Sequence, residues 1–179
     1  ADVVVIGPGL GQSGWAQSLL STVLESGCPL VVDADALNLL ACEPVRRGNW
    51  IMTPHPGEAA RLLESTIAAV QSDRLGAARA LHDRWGGVVV LKGAGSVIHD
   101  GEGLPVICAA GNPGMATAGM GDVLSGVAGA LLGQGLPLPD AARAAVCLHA
   151  MAGDHATRQG ERGCLARDLI AELPGLLRD

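Results

Sequence analysis

The chemistry-bearing residues of this 179-residue chain gather in glycine-rich stretches. The most telling stretch is 111–135, GNPGMATAGMGDVLSGVAGALLGQG. Its first half is glycine, proline and small residues, and from Asp122 onward it reads as an apolar helix nearly free of charge. The first N–H groups of a helix have no intrahelical acceptor, and the helix dipole is positive at that end. A glycine loop feeding such an end makes an anion site, with phosphate the usual anion. Gly119 and Gly121 would let a ligand approach the backbone. Asp122 sits at the junction with two readings: a helix cap, or a base that takes a proton from a substrate hydroxyl.

Lys92 is the only lysine of the chain, and it opens the run Lys92-Gly93-Ala94-Gly95-Ser96. A lone lysine where every other fixed cation is arginine invites a functional reading, with a solvated loop lysine as the alternative. His55 lies between two prolines, which restrict its loop. It either contacts a ligand or caps a helix. Glu58 reads as a first-turn helix residue favoured by the dipole. Asp33, Asp35 and Asn38 form a polar set that could serve Mg²⁺ through water, but a capping role for an aspartate is favoured. Gly9 and Gly11 lie in GPGLG, which lacks the Rossmann spacing. His82, His99, His149 and His155 share no metal-ligand spacing and read as structural or solvated, and no metal held by the protein itself is expected.

Apolar runs at 3–6, 29–33, 50–53 and 88–91 read as buried parallel strands. Helices are expected over 15–25, 36–40, from Glu58 to about 64, 73–85, 122–132, 139–158 and 167–177, the last interrupted or ended near Pro174. Residues 96–99 and 104–108 read as a hairpin turned by Asp100-Gly101-Glu102-Gly103. Strands alternating with helices predict an α/β fold with a mostly parallel sheet flanked by helices. The polar clusters follow the strands, where ligands bind in open α/β sheets, so they should converge on one crevice. The chain opens inside its first strand without an initiator Met, which suggests a fragment of a longer protein.

Composition removes other classes. The formal net charge of −6 gives no general attraction to nucleic acid or anionic membrane. Aromatics are three tryptophans only, too few for a base-stacking platform. Five cysteines, an odd number without a CxxC pair, fit reduced thiols and a cytoplasmic protein.

Together, GPGLG (7–11), DADALN (33–38), TPHPGE (53–58), LKGAGS (91–96) and GNPGMATAGMGD (111–122) resemble the ADP-dependent NAD(P)H-hydrate dehydratase family of the ribokinase-like superfamily. TPHPGE with LKGAGS is the specific part, since GxGD occurs across ribokinase-like kinases. The resemblance covers the whole chain, read as one dehydratase domain over 1–179 that lacks the family's N-terminal portion. It implies dehydration of (6S)-NAD(P)H hydrate to NAD(P)H, with ADP as co-substrate, Mg²⁺ as cofactor, and AMP and phosphate as products. It assigns Asp122 as the catalytic base. Gly9, Gly11, His55 and Asp122 would contact the hydrated dinucleotide. Lys92, Gly93, Ala94, Gly95, Ser96 and Gly121 would bind the nucleotide. It also implies a homo-oligomer, a tetramer, and fusion to an epimerase in many bacteria. Two other readings stand beside it: a ribokinase-like kinase acting on a small alcohol, and a nucleotide-binding fragment without turnover.

Overall fold

The computed structural model describes residues 1–178. Four short apolar runs form parallel strands: β1 (Val4–Ile6), β2 (Leu30–Val32), β3 (Trp50–Met52) and β4 (Val88–Leu91). Two antiparallel strands, β5 (Ser96–His99) and β6 (Val106–Cys108), complete a six-stranded sheet in the order β1 to β6. The mostly parallel α/β architecture agrees with the sequence reading.

Strand side chains alternate between two cores, as period-2 geometry requires. Leu30, Val32, Trp50, Met52, Val89 and Leu91 face one layer of helices. That layer holds α1 (Gly14–Glu25), α2 (Ala34–Cys42), α3 (Pro56–Leu62), α4 (Ile67–Ser72) and α5 (Arg74–Trp85). Val31, Ile51, Val88, Val90 and Ile98 face the other layer, α6 (Met120–Gly133) and α7 (Leu138–Ala156). Finally, α8 (Ala166–Leu176) packs on α6 and α7 through a small core around Met120, Ala152 and Leu169.

Four expectations need correction. The apolar helix starts at Met120, not Asp122, because Gly119 turns the chain at φ +86° and the helix follows at once. An unexpected helix, α4, forms where Thr66 accepts a bond from the Ala69 N–H and caps it. The second hairpin strand starts at Val106, two residues late, because Leu104 and Pro105 belong to the turn side of the hairpin. Pro174 neither interrupts nor ends α8, which continues to Leu176. Lying in the last turn, Pro174 loses only one backbone donor there.

The approach of α6 to the sheet depends on small residues. Gly129 is buried, and a Cβ there would collide with the Val5 side chain of β1. Alanine at this position would gain up to about 1 kcal/mol in helix propensity. Forced overlap with a branched side chain costs about 1–3 kcal/mol. The overlap should win, so Gly129→Ala is expected to lower the thermal midpoint; a raised midpoint would show that β1 yields freely.

Candidate active site

The carboxyl ends of β2, β3 and β4 meet the N-terminus of α6. Between them lies a cleft of about 810 Å³, lined by His55, Lys92–Ser96 (LKGAGS without its leucine), residues 108–113 and 115–117, Met120, Gly121 and His149. That volume falls within the usual range of small-molecule sites.

Lys92 lies at the floor. Its ammonium is 2.5 Å from Asp33 Oδ1 and 3.9 Å from Glu58 Oε2. Its backbone N–H donates to the Pro54 carbonyl at 2.8 Å, joining LKGAGS to TPHPGE. A Cβ on Gly121 would lie 3.3 Å from the Lys92 amine, so the glycine lets the first turn of α6 come close to the ammonium without displacing it. The cation therefore adds to the positive end of α6.

Arg74 braces the next turn. Its Nη2 donates to the carbonyls of Leu91 at 3.1 Å, Lys92 at 3.4 Å and Gly95 at 3.0 Å. Burial lowers its pKa from the ordinary arginine value. Gly93 has φ +148°, and a Cβ there would collide with this guanidinium. Ser96 donates weakly to the Gly93 carbonyl at 3.4 Å.

His55 caps α3. Its Nδ1 accepts the N–H groups of Gly57 at 2.9 Å and Glu58 at 3.3 Å, so the proton of the neutral ring is on Nε2. Nε2 is 3.4 Å from Glu58 Oε1, while Glu58 Oε2 accepts the His55 N–H at 2.7 Å. The ring remains half exposed at the cleft wall. Capping and lining the cleft thus coexist. Glu58 is a first-turn residue, as its position suggested, and it is also buried beside the lysine.

The opposite wall is the loop before α6. Asp154 of α7 clamps it: Oδ2 accepts the Gly111 N–H at 3.0 Å and Oδ1 accepts the Asn112 amide at 2.8 Å. Asn112 in turn caps the 3₁₀ turn Pro113–Met115 through the Gly114 N–H. Met115 rests on Gly153, where any Cβ would overlap its sulfur. His149 donates from Nε2 to the Met120 carbonyl at 2.8 Å, tying α7 to the start of α6.

Asp122 is not in this cleft. It is exposed at the third position of α6 and opens onto a second, apolar cavity of about 500 Å³, lined also by Val123, Val127, Leu148 and Leu173. The first turn of α6 thus turns Gly121 toward the lysine cleft and Asp122 toward the second cavity. Gly9 and Gly11 also lie outside the cleft, beyond the end of β1, where the Gly11 N–H donates to Asp35 at 2.8 Å. Within GPGLG it is Gly7 that the packing demands, because a Cβ there would overlap the Asp33 carbonyl. Asp33 caps α2 through the Ala34 N–H at 2.9 Å, the role favoured from sequence, and serves Lys92 as well. Among the described residues no cluster of three or more His, Cys, Asp or Glu side chains could hold a metal ion, and no helix is long and apolar enough to cross a membrane.

Sequence reasoning missed Arg74, Asp154 and Ser125, a buried serine of α6 whose hydroxyl donates to Asp33 Oδ2 at 2.7 Å. Ser125 carried a faint signal, a hydroxyl on the apolar face of a helix; the other two gave none.

Fold and cleft define the class: a ribokinase-like α/β domain with a cleft of small-molecule size at its strand ends. Residues 1–175 match the NAD(P)H-hydrate dehydratase family, and the chain belongs to it. It is 56% identical over 174 residues to the bifunctional NAD(P)H-hydrate repair enzyme Nnr of Coxiella burnetii, covering 97% of this chain and 36% of that protein. It is 44% identical over 158 residues to the ADP-dependent (S)-NAD(P)H-hydrate dehydratase of Neisseria meningitidis, covering 84% of this chain and 53% of that one. It superposes with a TM-score of 0.88 and 32% identity on the ADP/ATP-dependent NAD(P)H-hydrate dehydratase of Bacillus subtilis co-crystallized with ATP/Mg²⁺ and soaked with CoA, covering 98% of this chain and 65% of that one. The chain thus spans about a third of the bifunctional relative's length.

Two histidines give the fold a pH dependence. Burial holds His149 below the ordinary imidazole range; the Lys92 charge adds to this, and the bond to the Met120 carbonyl opposes it. Burial lowers His99 too, helped by the His82 charge, and its Nδ1 has no hydrogen-bond partner. Both folded-state values lie below the unfolded one of about 6.5. The unfolded chain therefore binds protons first, so stability is full above about pH 6.5 and is lost as pH falls below it. The thermal midpoint should drop as pH falls below about 6.5, and less steeply in His149→Gln; equal slopes would remove His149 from this account.

Proposed function

We propose that this chain dehydrates (6S)-NAD(P)H hydrate to NAD(P)H at the expense of ADP, releasing AMP and phosphate. One observation carries the reading for a member of this family: a nucleotide-sized cleft puts the Lys92 ammonium at the N-terminus of α6, one residue from Asp122. In this reading Lys92, Gly93, Ala94, Gly95, Ser96 and Gly121 hold ADP, with its phosphates between the ammonium and the α6 N–H groups. The hydrated nicotinamide lies at the rim of the lysine cleft, its hydroxyl between the bound phosphates and Asp122 at the end of the same turn, and His55, Gly9 and Gly11 contact the dinucleotide.

Hydroxide leaves poorly, so the ring hydroxyl must first become a phosphate ester. Asp122 takes the hydroxyl proton as the oxygen attacks the β-phosphorus of ADP, and AMP departs. The phosphate ester then breaks its C–O bond and leaves as inorganic phosphate while the neighbouring ring carbon gives up a proton, so the ring double bond of NAD(P)H is restored. Catalysis is positioning and charge stabilisation, as in other phosphoryl transfers. Mg²⁺ would neutralise phosphate charge. The residues present fit a cation carried in on phosphate oxygens, because Asp33 and Glu58 are already engaged by Lys92, Ser125 and His55.

The reading includes residues 1–179 acting as one domain, within a larger protein that also carries an epimerase, in the cytoplasm. All five cysteines are free thiols, which suits that compartment. It also includes a homo-oligomer, a tetramer; exposed Trp15 and Ile170 offer apolar surface for one.

The test is recovery of NADH absorbance from purified hydrated NADH with ADP and Mg²⁺. Asp122→Asn should lower the rate by about 10²-fold or more, the scale of general-base catalysis, while ADP binding stays within about threefold. Phosphorylation of a small alcohol with no NADH recovery would contradict the reading and favour a kinase.

A further inference from the structure

A buried hydrogen-bond chain runs beneath the cleft and ends on its lysine. Thr53, Ser125 and Asp33 are 0%, 0% and 1% exposed, and they come from the ends of β3 and β2 and the second turn of α6. Both oxygens of the Asp33 carboxylate are occupied. Oδ1 takes the Lys92 ammonium at 2.5 Å and the Ala34 N–H at 2.9 Å. Oδ2 takes the Ser125 hydroxyl at 2.7 Å. Ser125 has one proton and gives it to Asp33, so toward Thr53, 3.4 Å away, it can only accept.

A helical serine away from the caps usually bonds back to a carbonyl one turn earlier. Ser125 instead reaches across to a carboxylate 92 positions away in sequence. A core that needed only filling would take alanine here. What the hydroxyl adds is a fixed orientation of the Asp33 carboxylate. Without it, Oδ2 is a buried acceptor with no donor, and the carboxylate can turn to recover one. The ammonium would turn with it, away from the first turn of α6.

We propose that Ser125, acting through Asp33, is a positioning residue that fixes the Lys92 ammonium where the nucleotide phosphates bind. The proposal rests on the assignment of Lys92 to those phosphates.

The experiment is a double-mutant cycle on ADP affinity, measured by titration calorimetry, with thermal midpoints taken alongside. Lys92→Met should weaken ADP binding about tenfold or more, the scale of a lost charged hydrogen bond. Ser125→Ala should weaken it about fivefold, and Ser125→Thr, which keeps the hydroxyl, less than about twofold. In the Lys92→Met background, Ser125→Ala should cost less than about twofold further, because the group it positions is gone. A merely structural serine would lower the thermal midpoint and cost the same factor in both backgrounds, which would overturn the proposal. Unchanged ADP affinity in Ser125→Ala would overturn it too. If Lys92→Met binds ADP like the parent, the assignment of Lys92 fails and the proposal fails with it. If Lys92→Met is impaired and the cycle is additive, the positioning role alone fails. Should Ser125→Ala not fold, Ser125→Cys, which fills the same space with a much weaker donor, takes its place in the same cycle.

Discussion

The ion pair between Lys92 and Asp33 is the constraint around which the site is built. Asp33 is almost fully buried and Lys92 is about four-fifths buried, so neither charge can rely on water. Removing one partner of such a pair strands the other, at a cost of about 3–5 kcal/mol. Replacing both by apolar groups is often harmless to folding, so stability alone does not explain the pair. The geometry does: the carboxylate fixes a cation at the cleft floor beside the N-terminus of α6. Glu58, 3.9 Å away, adds a second negative charge. The ammonium is thus anchored from below, and its open side faces the cleft.

The rest of the fold delivers the parts to that point. Parallel strands put the ends of β2, β3 and β4 side by side, and with them Asp33, the TPHPGE loop and Lys92. The antiparallel turn into β5 folds Gly93–Ser96 back over the cleft, with Arg74 holding the carbonyls of Leu91, Lys92 and Gly95. On the other face, small residues such as Gly129 let α6 lie close to the sheet, and this closeness brings its N-terminus to the lysine. Asp154 and His149 of α7 set the loop and the first turn from behind. Each wall is therefore held by a group that need not touch a ligand.

The strands and most of the helices were legible in the sequence because burial leaves a periodic trace. Glycine runs marked strand ends, and those around Lys92 and Gly121 do meet. The side-chain network was not legible. Lys92 and Asp33 are 59 positions apart, and Ser125 and Asp33 are 92 apart, and no local pattern encodes such pairings. Asp33 was read as a cap, which it is; its second role appears only once β2 and β4 are placed in one sheet. The separation of Asp122 from the lysine cleft was hidden too. Consecutive helix positions point about 100° apart, so Gly121 and Asp122 reach different cavities from one turn.

The most direct measurement of this account is the side-chain NMR signal of Lys92 during an ADP titration. Lys92 is the only lysine, so ¹³C-lysine labelling of this chain gives one side-chain spin system. The account predicts that its ε-carbon signal shifts with ADP and reaches half its full shift at the dissociation constant found by calorimetry. A signal that stays fixed while ADP binds would place the nucleotide elsewhere and contradict the assignment of this cleft.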